Sequence, residues 1–426
     1  MQSRNQQTTM KHHIEGSQAV AHAVALCRPE VMACYPISPQ THIVETLSRK
    51  VKAGEIGNCQ FLNVESEFGA LSVLIGASAM GARTYTATTS QGLLFMAEAV
   101  YNAAGLGLPI VMTIANRALG APINIWNDHS DSMSMRDAGW IQLFAEDNQE
   151  AVDFHIQAFR LAEELSCPVM ICMDGYILTH AYEVVDLPTQ EQVDAYLPAF
   201  EPVQVLDPQD PVSIGAMVGP EAYAEVRYLA HDKHLRALEA IPRLSQDFED
   251  IFQRRSGGLL KAYHTDEAET ILVALGSVNG TIKDAVDDLR KEGWPVGSIA
   301  LCAFRPFPSH ALRHVVQDAK RIIVFEKDLA VGKGGIVSSD VKMALRGLPT
   351  IVDTVIAGLG GRPIPKASVM DTVKQACLEG LEEPHFLDLN WDAINRELTR
   401  QQAQRRSGPT AENILREIGA RGASPI

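Results

Sequence analysis

Tyr35-Pro36-Ile37-Ser38-Pro39, Val64-Glu65-Ser66-Glu67-Phe68-Gly69-Ala70 and Asn116-Arg117-Ala118-Leu119 are three segments of the stretch from Val31 to Arg117. Each follows a short run that reads as a strand: Val31–Tyr35, Phe61–Val64 and Pro109–Ala115, with a fourth, β-branched run at Thr84–Thr88. Helical spacing of apolar residues fills the gaps, from Thr41 to Val51, Glu65 to Met80 and Ser90 to about Ala104. Strand and helix in alternation predict a parallel sheet with crossover helices. In such a sheet, ligands bind in the crevice beyond the carboxyl ends of the strands. The three segments are therefore expected to converge on one pocket.

Outward from that stretch, residues 1–13 read as a polar arm and Gly16–Cys27 as a helix. A polar loop runs from Asn124 to Asp137, followed by a helix from Gln149 to Leu165 and a strand from Pro168 to Met173. These close a first α/β domain, residues 1–185. Residues 186–258 form an acidic excursion punctuated by Pro188, Pro198, Pro202, Pro208 and Pro211, with a charged helix from about Glu221 to Arg254. A second α/β domain follows over residues 259–370, with strands at Thr270–Leu275, Val296–Leu301, Arg321–Phe325 and Pro349–Ile356. Residues 371–426 form a charged tail, expected to lie over the surface or over a partner.

Composition narrows the function. The chain has 426 residues, 46% hydrophobic and 21% charged, enough for a large core. A net charge of −15 argues against nucleic acid, which needs clustered Lys and Arg. The seven cysteines lack the CxxC spacing of zinc or iron–sulfur sites and fit a reducing cytoplasm. The N-terminal residues have no apolar signal-peptide core, and no apolar run is long enough to span a membrane.

Glu67 opens a helix, where the dipole favours a carboxylate. It is either a functional acid or an ordinary helix-start charge. Glu65 competes with it, because residues two apart on a helix do not face one another. Arg117 follows an apolar strand and suits a small carboxylate, which guanidinium binds bidentately; the alternative is a surface arginine. Ser38, between Ile37 and Pro39, has its hydroxyl held in a fixed direction, or is a plain turn residue. Asp128, His129 and Asp131 offer a metal cluster or an acid–base pair, or are turn formers and solvated charges; no metal site is predicted. Gly332-Lys333-Gly334-Gly335 and Gly358-Leu359-Gly360-Gly361 match neither the dinucleotide fingerprint nor the Walker spacing.

With Thr88-Thr89-Ser90-Gln91-Gly92-Leu93, Asp128-His129-Ser130-Asp131, Asp174-Gly175 and Thr179-His180 added in order, the chain resembles the alpha subunit of the 2-oxoacid:ferredoxin oxidoreductases, best known from pyruvate:ferredoxin oxidoreductase. The resemblance covers most of residues 15–370. It implies a pyrimidine-binding thiamine diphosphate domain followed by a transketolase C-terminal-like domain. It implies that Glu67 contacts the aminopyrimidine ring and promotes its imino tautomer, and that Arg117 holds the substrate carboxylate. Ile37, Ser38, Pro39, Ser90 and Gln91 are the implied cofactor contacts. Ser38 stands where the family usually has threonine, which leaves more room for the substrate side chain. The sequence has no Gly-Asp-Gly and no cysteine cluster. The resemblance therefore implies a beta subunit holding the diphosphate, Mg2+ and a [4Fe-4S] cluster, with gamma-type and ferredoxin-like subunits and coenzyme A as acyl acceptor. The expected activity is oxidative decarboxylation of a 2-oxoacid such as pyruvate. The alternatives are a bulkier branched or aromatic oxoacid such as phenylglyoxylate, and a non-catalytic scaffold subunit. A nicotinamide-binding dehydrogenase would need a fingerprint the chain lacks.

Overall fold

The computed structural model describes residues 10–403 and 410–419. Its first sheet has seven strands in the order Ala303–Arg305, Ile141–Phe144, Val169–Asp174, Val111–Asn116, Thr84–Thr88, Val31–Cys34 and Gln60–Asn63. All pairs are parallel except that of Ala303–Arg305 with Ile141–Phe144. Thr84–Thr88, Val111–Asn116 and Val169–Asp174 are buried at every position. Helices cover both faces, so these strands read as continuous apolar or β-branched runs rather than as alternation. One face packs on Gly16–Leu26, Thr41–Lys52 and Asn148–Leu165 through residues such as Val20, Leu47 and Phe159. The other packs on Glu67–Ala79 and Ala97–Leu106 through Leu71, Leu74 and Val100, in a cluster that continues into Ile271, Ile299 and Val324 of the second sheet. The two sheets thus share apolar core.

The second sheet has six strands in the order His385–Phe386, Ile351–Ile356, Arg321–Glu326, Thr270–Ala274, Val296–Leu301 and Leu260–Tyr263. Its strand order reverses between Thr270–Ala274 and Arg321–Glu326, where an open α/β sheet ordinarily binds a ligand. Here the first domain fills that place with its own carboxylate. Asp174, 1% exposed, accepts from Ser277 N at 3.1 Å, from the Ser277 hydroxyl, and from Lys327 Nζ and His129 Nε2 at 2.7 Å each. Ser277 precedes the helix Val278–Lys291, whose positive end also favours the anion. Burial alone would raise the Asp174 carboxyl; Lys327 and His129 outweigh it and hold the group well below the usual carboxylate range.

Several elements differ from the sequence reading. Met10–Glu15 is a strand, antiparallel to Tyr182–Leu187, rather than part of a polar arm; residues 1–9 lie outside the described residues. Its polar composition carries no strand signal until its partner is in place. The helix expected from Ser90 to Ala104 breaks at Met96 into Ser90–Phe95 and Ala97–Leu106. Ile141–Phe144 is an unpredicted strand, and Ser130–Ser134 a short helix inside the polar loop. Between residues 186 and 258, the helix Tyr223–Phe252 lays Ala237, Ile241, Leu244 and Phe248 into the first domain's core. In the tail, Arg396 and Arg400 of Trp391–Gln402 bond Glu417 of Thr410–Glu417; residues 404–409 and 420–426 are outside the described residues.

Candidate active site

The first sheet's strand order also reverses, between Val31–Cys34 and Thr84–Thr88, because the chain runs from Val31–Cys34 to Gln60–Asn63 on one side and returns to Thr84–Thr88 on the other. The carboxyl ends of these two strands lead into Tyr35–Pro39 and Thr89–Gln91, and the returning crossover is the helix Glu67–Ala79. The fold therefore brings the quoted segments to one crevice.

Glu67 is the first residue of its helix, capped by Ser66, whose Oγ accepts from Gly69 N at 3.1 Å. Glu67 is 7% exposed, whereas Glu65 is exposed and accepts from the Ser66 hydroxyl. The extended N-cap Ser66 separates the competing carboxylates: Glu65 precedes the helix and stays exposed, and Glu67 begins it and is buried. A Cβ on Gly92 would lie 2.6 Å from Glu67 Oε1 and 2.7 Å from Thr88 Oγ1, so the cradle requires glycine there. Thr88 Oγ1 is itself buried, with no hydrogen-bond partner among the described residues. Among the described residues, the Glu67 carboxylate has no hydrogen-bond or ion-pair partner. A carboxylate so far out of water is costly unless a donor meets it.

Arg117 and Ser38, 79 positions apart, are brought into contact: Arg117 Nη1 donates to the Ser38 carbonyl at 2.8 Å and Nε to the Asn124 carbonyl at 3.1 Å. Both partners are neutral. Among the described residues the guanidinium has no carboxylate partner, so it remains a positioned cation with N–H groups to spare. Ser38 is exposed, Ile37 half-buried and Pro39 buried, across a cis Ser38–Pro39 bond. Gln91 is exposed and packs its amide on Gly120. Ser90, expected to contact a cofactor, is instead fully buried, with its hydroxyl on the Ala118 carbonyl at 2.6 Å. Its φ of 48° lies in the left-handed region, which turns the backbone sharply.

The sequence reading missed what holds these loops together. Asp131, 0% exposed, accepts from Ser90 N at 2.9 Å, Arg117 N at 3.0 Å, and Asn116 Nδ2 and Ser132 N at 2.8 Å. Burial raises its carboxyl above the ordinary range, against the pull of these bonds. Asp128 accepts from Ser130 N and Gly360 N at 3.0 Å each, and His129 pairs with Asp174. The Asp128-His129-Ser130-Asp131 run is thus internal stitching. A Cβ on Gly361 would overlap Trp126, so the Gly358–Gly361 turn seats on the first domain rather than on a phosphate. The signal available was the density of Asn, Asp and Ser between two strand-like runs, residue types that bond nearby backbone.

Among the described residues, then, this α/β domain carries a buried acid without a donor and a guanidinium without a carboxylate beside the switch point of its sheet, where such sheets bind ligands. A family profile described as "Pyruvate flavodoxin/ferredoxin oxidoreductase, thiamine diP-bdg" matches residues 22–246, and "Pyruvate:ferredoxin oxidoreductase core domain II" matches residues 268–369. The chain is 47% identical over 392 residues to pyruvate synthase subunit PorA of Methanosarcina barkeri, covering 89% of this chain and 97% of that one. It is 40% identical over 356 residues to ketoisovalerate oxidoreductase subunit VorA of Pyrococcus horikoshii, covering 83% and 90%. Among solved structures, the 2-oxoglutarate:ferredoxin oxidoreductase of Magnetococcus marinus, with 2-oxoglutarate, coenzyme A and succinyl-CoA bound, aligns with a TM-score of 0.65 at 17% identity, over 86% of this chain and 65% of that one. That likeness is one of fold. The chain belongs to the pyruvate:ferredoxin oxidoreductase family of thiamine diphosphate-dependent 2-oxoacid oxidoreductases, as its alpha-type subunit. Among the described residues, no helix is long and apolar enough to cross a membrane.

Proposed function

We propose that this chain supplies the aminopyrimidine side of a split thiamine diphosphate cleft, in an enzyme that oxidatively decarboxylates a small 2-oxoacid and passes the acyl group to coenzyme A. The observation that carries the reading is Glu67, buried against Gly92 with no donor of its own among the described residues. An aminopyrimidine ring nitrogen that shares a proton with the carboxyl group would be the partner it lacks. When bound, thiamine diphosphate supplies the electron sink for carbon–carbon cleavage. Glu67 would hold and share that proton, the role its buried carboxyl group fits. Arg117, steadied by the Ser38 and Asn124 carbonyls, receives the substrate carboxylate. Ile37, Ser38, Pro39 and Gln91 wall the crevice, and Ser90 shapes it from behind.

The diphosphate end falls to a partner. The sequence has no Gly-Asp-Gly, so a beta subunit holds Mg2+ and the diphosphate, with [4Fe-4S] clusters there and in a ferredoxin-like subunit, and a gamma-type subunit completes the complex. Tyr35, Leu62, Phe68 and Phe95 are exposed apolar side chains on the elements around the crevice, suited to being covered by that subunit. The six buried free thiols and the exposed Cys377 fit a cytoplasmic setting. Pyruvate is the first substrate to test. Ser38 leaves room for a branched or aromatic side chain, which keeps ketoisovalerate and phenylglyoxylate as the second reading.

The test is Glu67→Gln in the assembled enzyme, assayed with each of these oxoacids. Loss of a positioned proton-handling group is expected to lower turnover by ~10²–10⁴-fold, with the complex intact and the cofactor retained through the partner. Undiminished oxoacid-dependent electron transfer would favour a scaffold subunit instead.

A further inference from the structure

We propose that Glu15, His42 and His180 form a binding site for a divalent transition ion of the zinc type. The three come from separate elements. Glu15 ends the strand Met10–Glu15, His42 is the second residue of the helix Thr41–Lys52, and His180 follows the strand Val169–Asp174. One donor atom of each lies within 4.8 Å of the other two. Glu15 Oε1 and His42 Nδ1 are 2.6 Å apart, and the rings of His42 and His180 have centroids 4.9 Å apart. Two imidazoles and a carboxylate are the donor set that a borderline ion takes, at roughly 2.0–2.2 Å each. The His42 side chain is 46% exposed, so it is free to rotate onto an ion and leaves space for water to complete the shell.

The frame behind these side chains is rigid. Gly16 N donates to the Ala181 carbonyl at 3.0 Å and Ser17 N to the Thr179 carbonyl at 2.9 Å, which fixes Glu15 against His180. Glu15 itself is 6% exposed. His180 Nδ1 lies 2.8 Å from Thr179 Oγ1, a hydroxyl that also accepts from Tyr176 N at 2.8 Å. With Nδ1–H donated to that hydroxyl, Nε2 keeps its lone pair, the outer-shell pattern that fixes the tautomer of metal-binding histidines. The site adjoins the crevice. Tyr176 lies against His180 with centroids 4.7 Å apart, and the Pro39 ring is 2.7 Å from where Gly175 would carry a Cβ. A bound ion would tie the segment after Pro39 to the loop after Asp174.

Equilibrium dialysis of the full chain against Zn2+, after chelator treatment, tests the site. The expected result is one saturable equivalent at micromolar affinity, with a melting temperature that rises with Zn2+. His42→Ala, His180→Ala and Glu15→Gln should each weaken binding by at least tenfold. His12→Ala and His13→Ala, on the same strand as Glu15, should leave it unchanged. Circular dichroism checks folding; the exposed position of His42 keeps at least one variant informative. No saturable uptake, uptake that survives both histidine substitutions, or uptake lost in the His12 and His13 variants overturns the proposal.

Discussion

Glu65 and Glu67 carry the same charge two positions apart, yet only Glu67 is buried. The difference arises because the extended N-cap Ser66 leaves Glu65 outside the helix, and because Gly92 leaves a hollow where any other residue would place a Cβ 2.6 Å from Glu67 Oε1. Gly92→Ala is therefore expected to push Glu67 off its position. Overpacking of this kind costs ~1–3 kcal/mol in stability, and steady-state turnover should fall toward that of Glu67→Gln while the far-ultraviolet circular dichroism is unchanged. Normal turnover with a normal unfolding midpoint would mean that the Glu67 carboxylate need not stay where it is. Ser38 and Arg117 show the same dependence on neighbours: neither is distinctive in isolation, and the contact between them turns a surface arginine into an aimed one.

Among elements, the loop from Asn124 to Asp137 does the most organising. Its Asp131 joins the turn after Thr84–Thr88 to the turn after Val111–Asn116 with both carboxylate oxygens. Asp131→Asn keeps the shape but replaces one oxygen by an NH2 group that faces N–H donors. Each buried donor left unsatisfied costs about 1–3 kcal/mol, so a lower denaturant midpoint is expected, together with a raised KM for the oxoacid as the Arg117 and Ser90 turns lose their common anchor. A change in stability with no change in KM would confine Asp131 to folding. The loop was readable as polar and turn-rich. Its role was not, because the same residues serve equally well as solvated charges or as ligands until their partners are known.

At the scale of the molecule, the Asp174 cluster pins the switch-point crevice of the second sheet to the first domain. Asp174→Asn would leave Lys327 and His129 buried together without their anion, and breaking such a pair typically costs ~3–5 kcal/mol; chemical denaturation should register a loss of this order. The core also carries a pH dependence. His155 is fully buried, its Nδ1–H donated to the Ala151 carbonyl at 2.6 Å and its Nε2 2.5 Å from Thr113 Oγ1. Burial pushes it down to about 4, against the raising effect of the Ala151 bond. Below the ordinary value of about 6.5, the unfolded chain takes up a proton that the folded chain refuses. Stability should thus fall as pH drops from about 6.5 toward 4, by up to ~1.4 kcal/mol per unit, and His155→Gln should flatten that slope in urea titrations. By itself the sequence determined the alternation of strands and helices, the places where strands end, and the family, since apolar period and short motifs are local properties of the chain. The tertiary structure alone decided which carboxylate is buried, that Met10–Glu15 is a strand, that Asp131 and Asp174 are anchors, and that Ser90 faces inward. These depend on partners as far as 177 positions away, the separation of the paired residues Met10 and Leu187, and no local pattern encodes which distant atom will arrive.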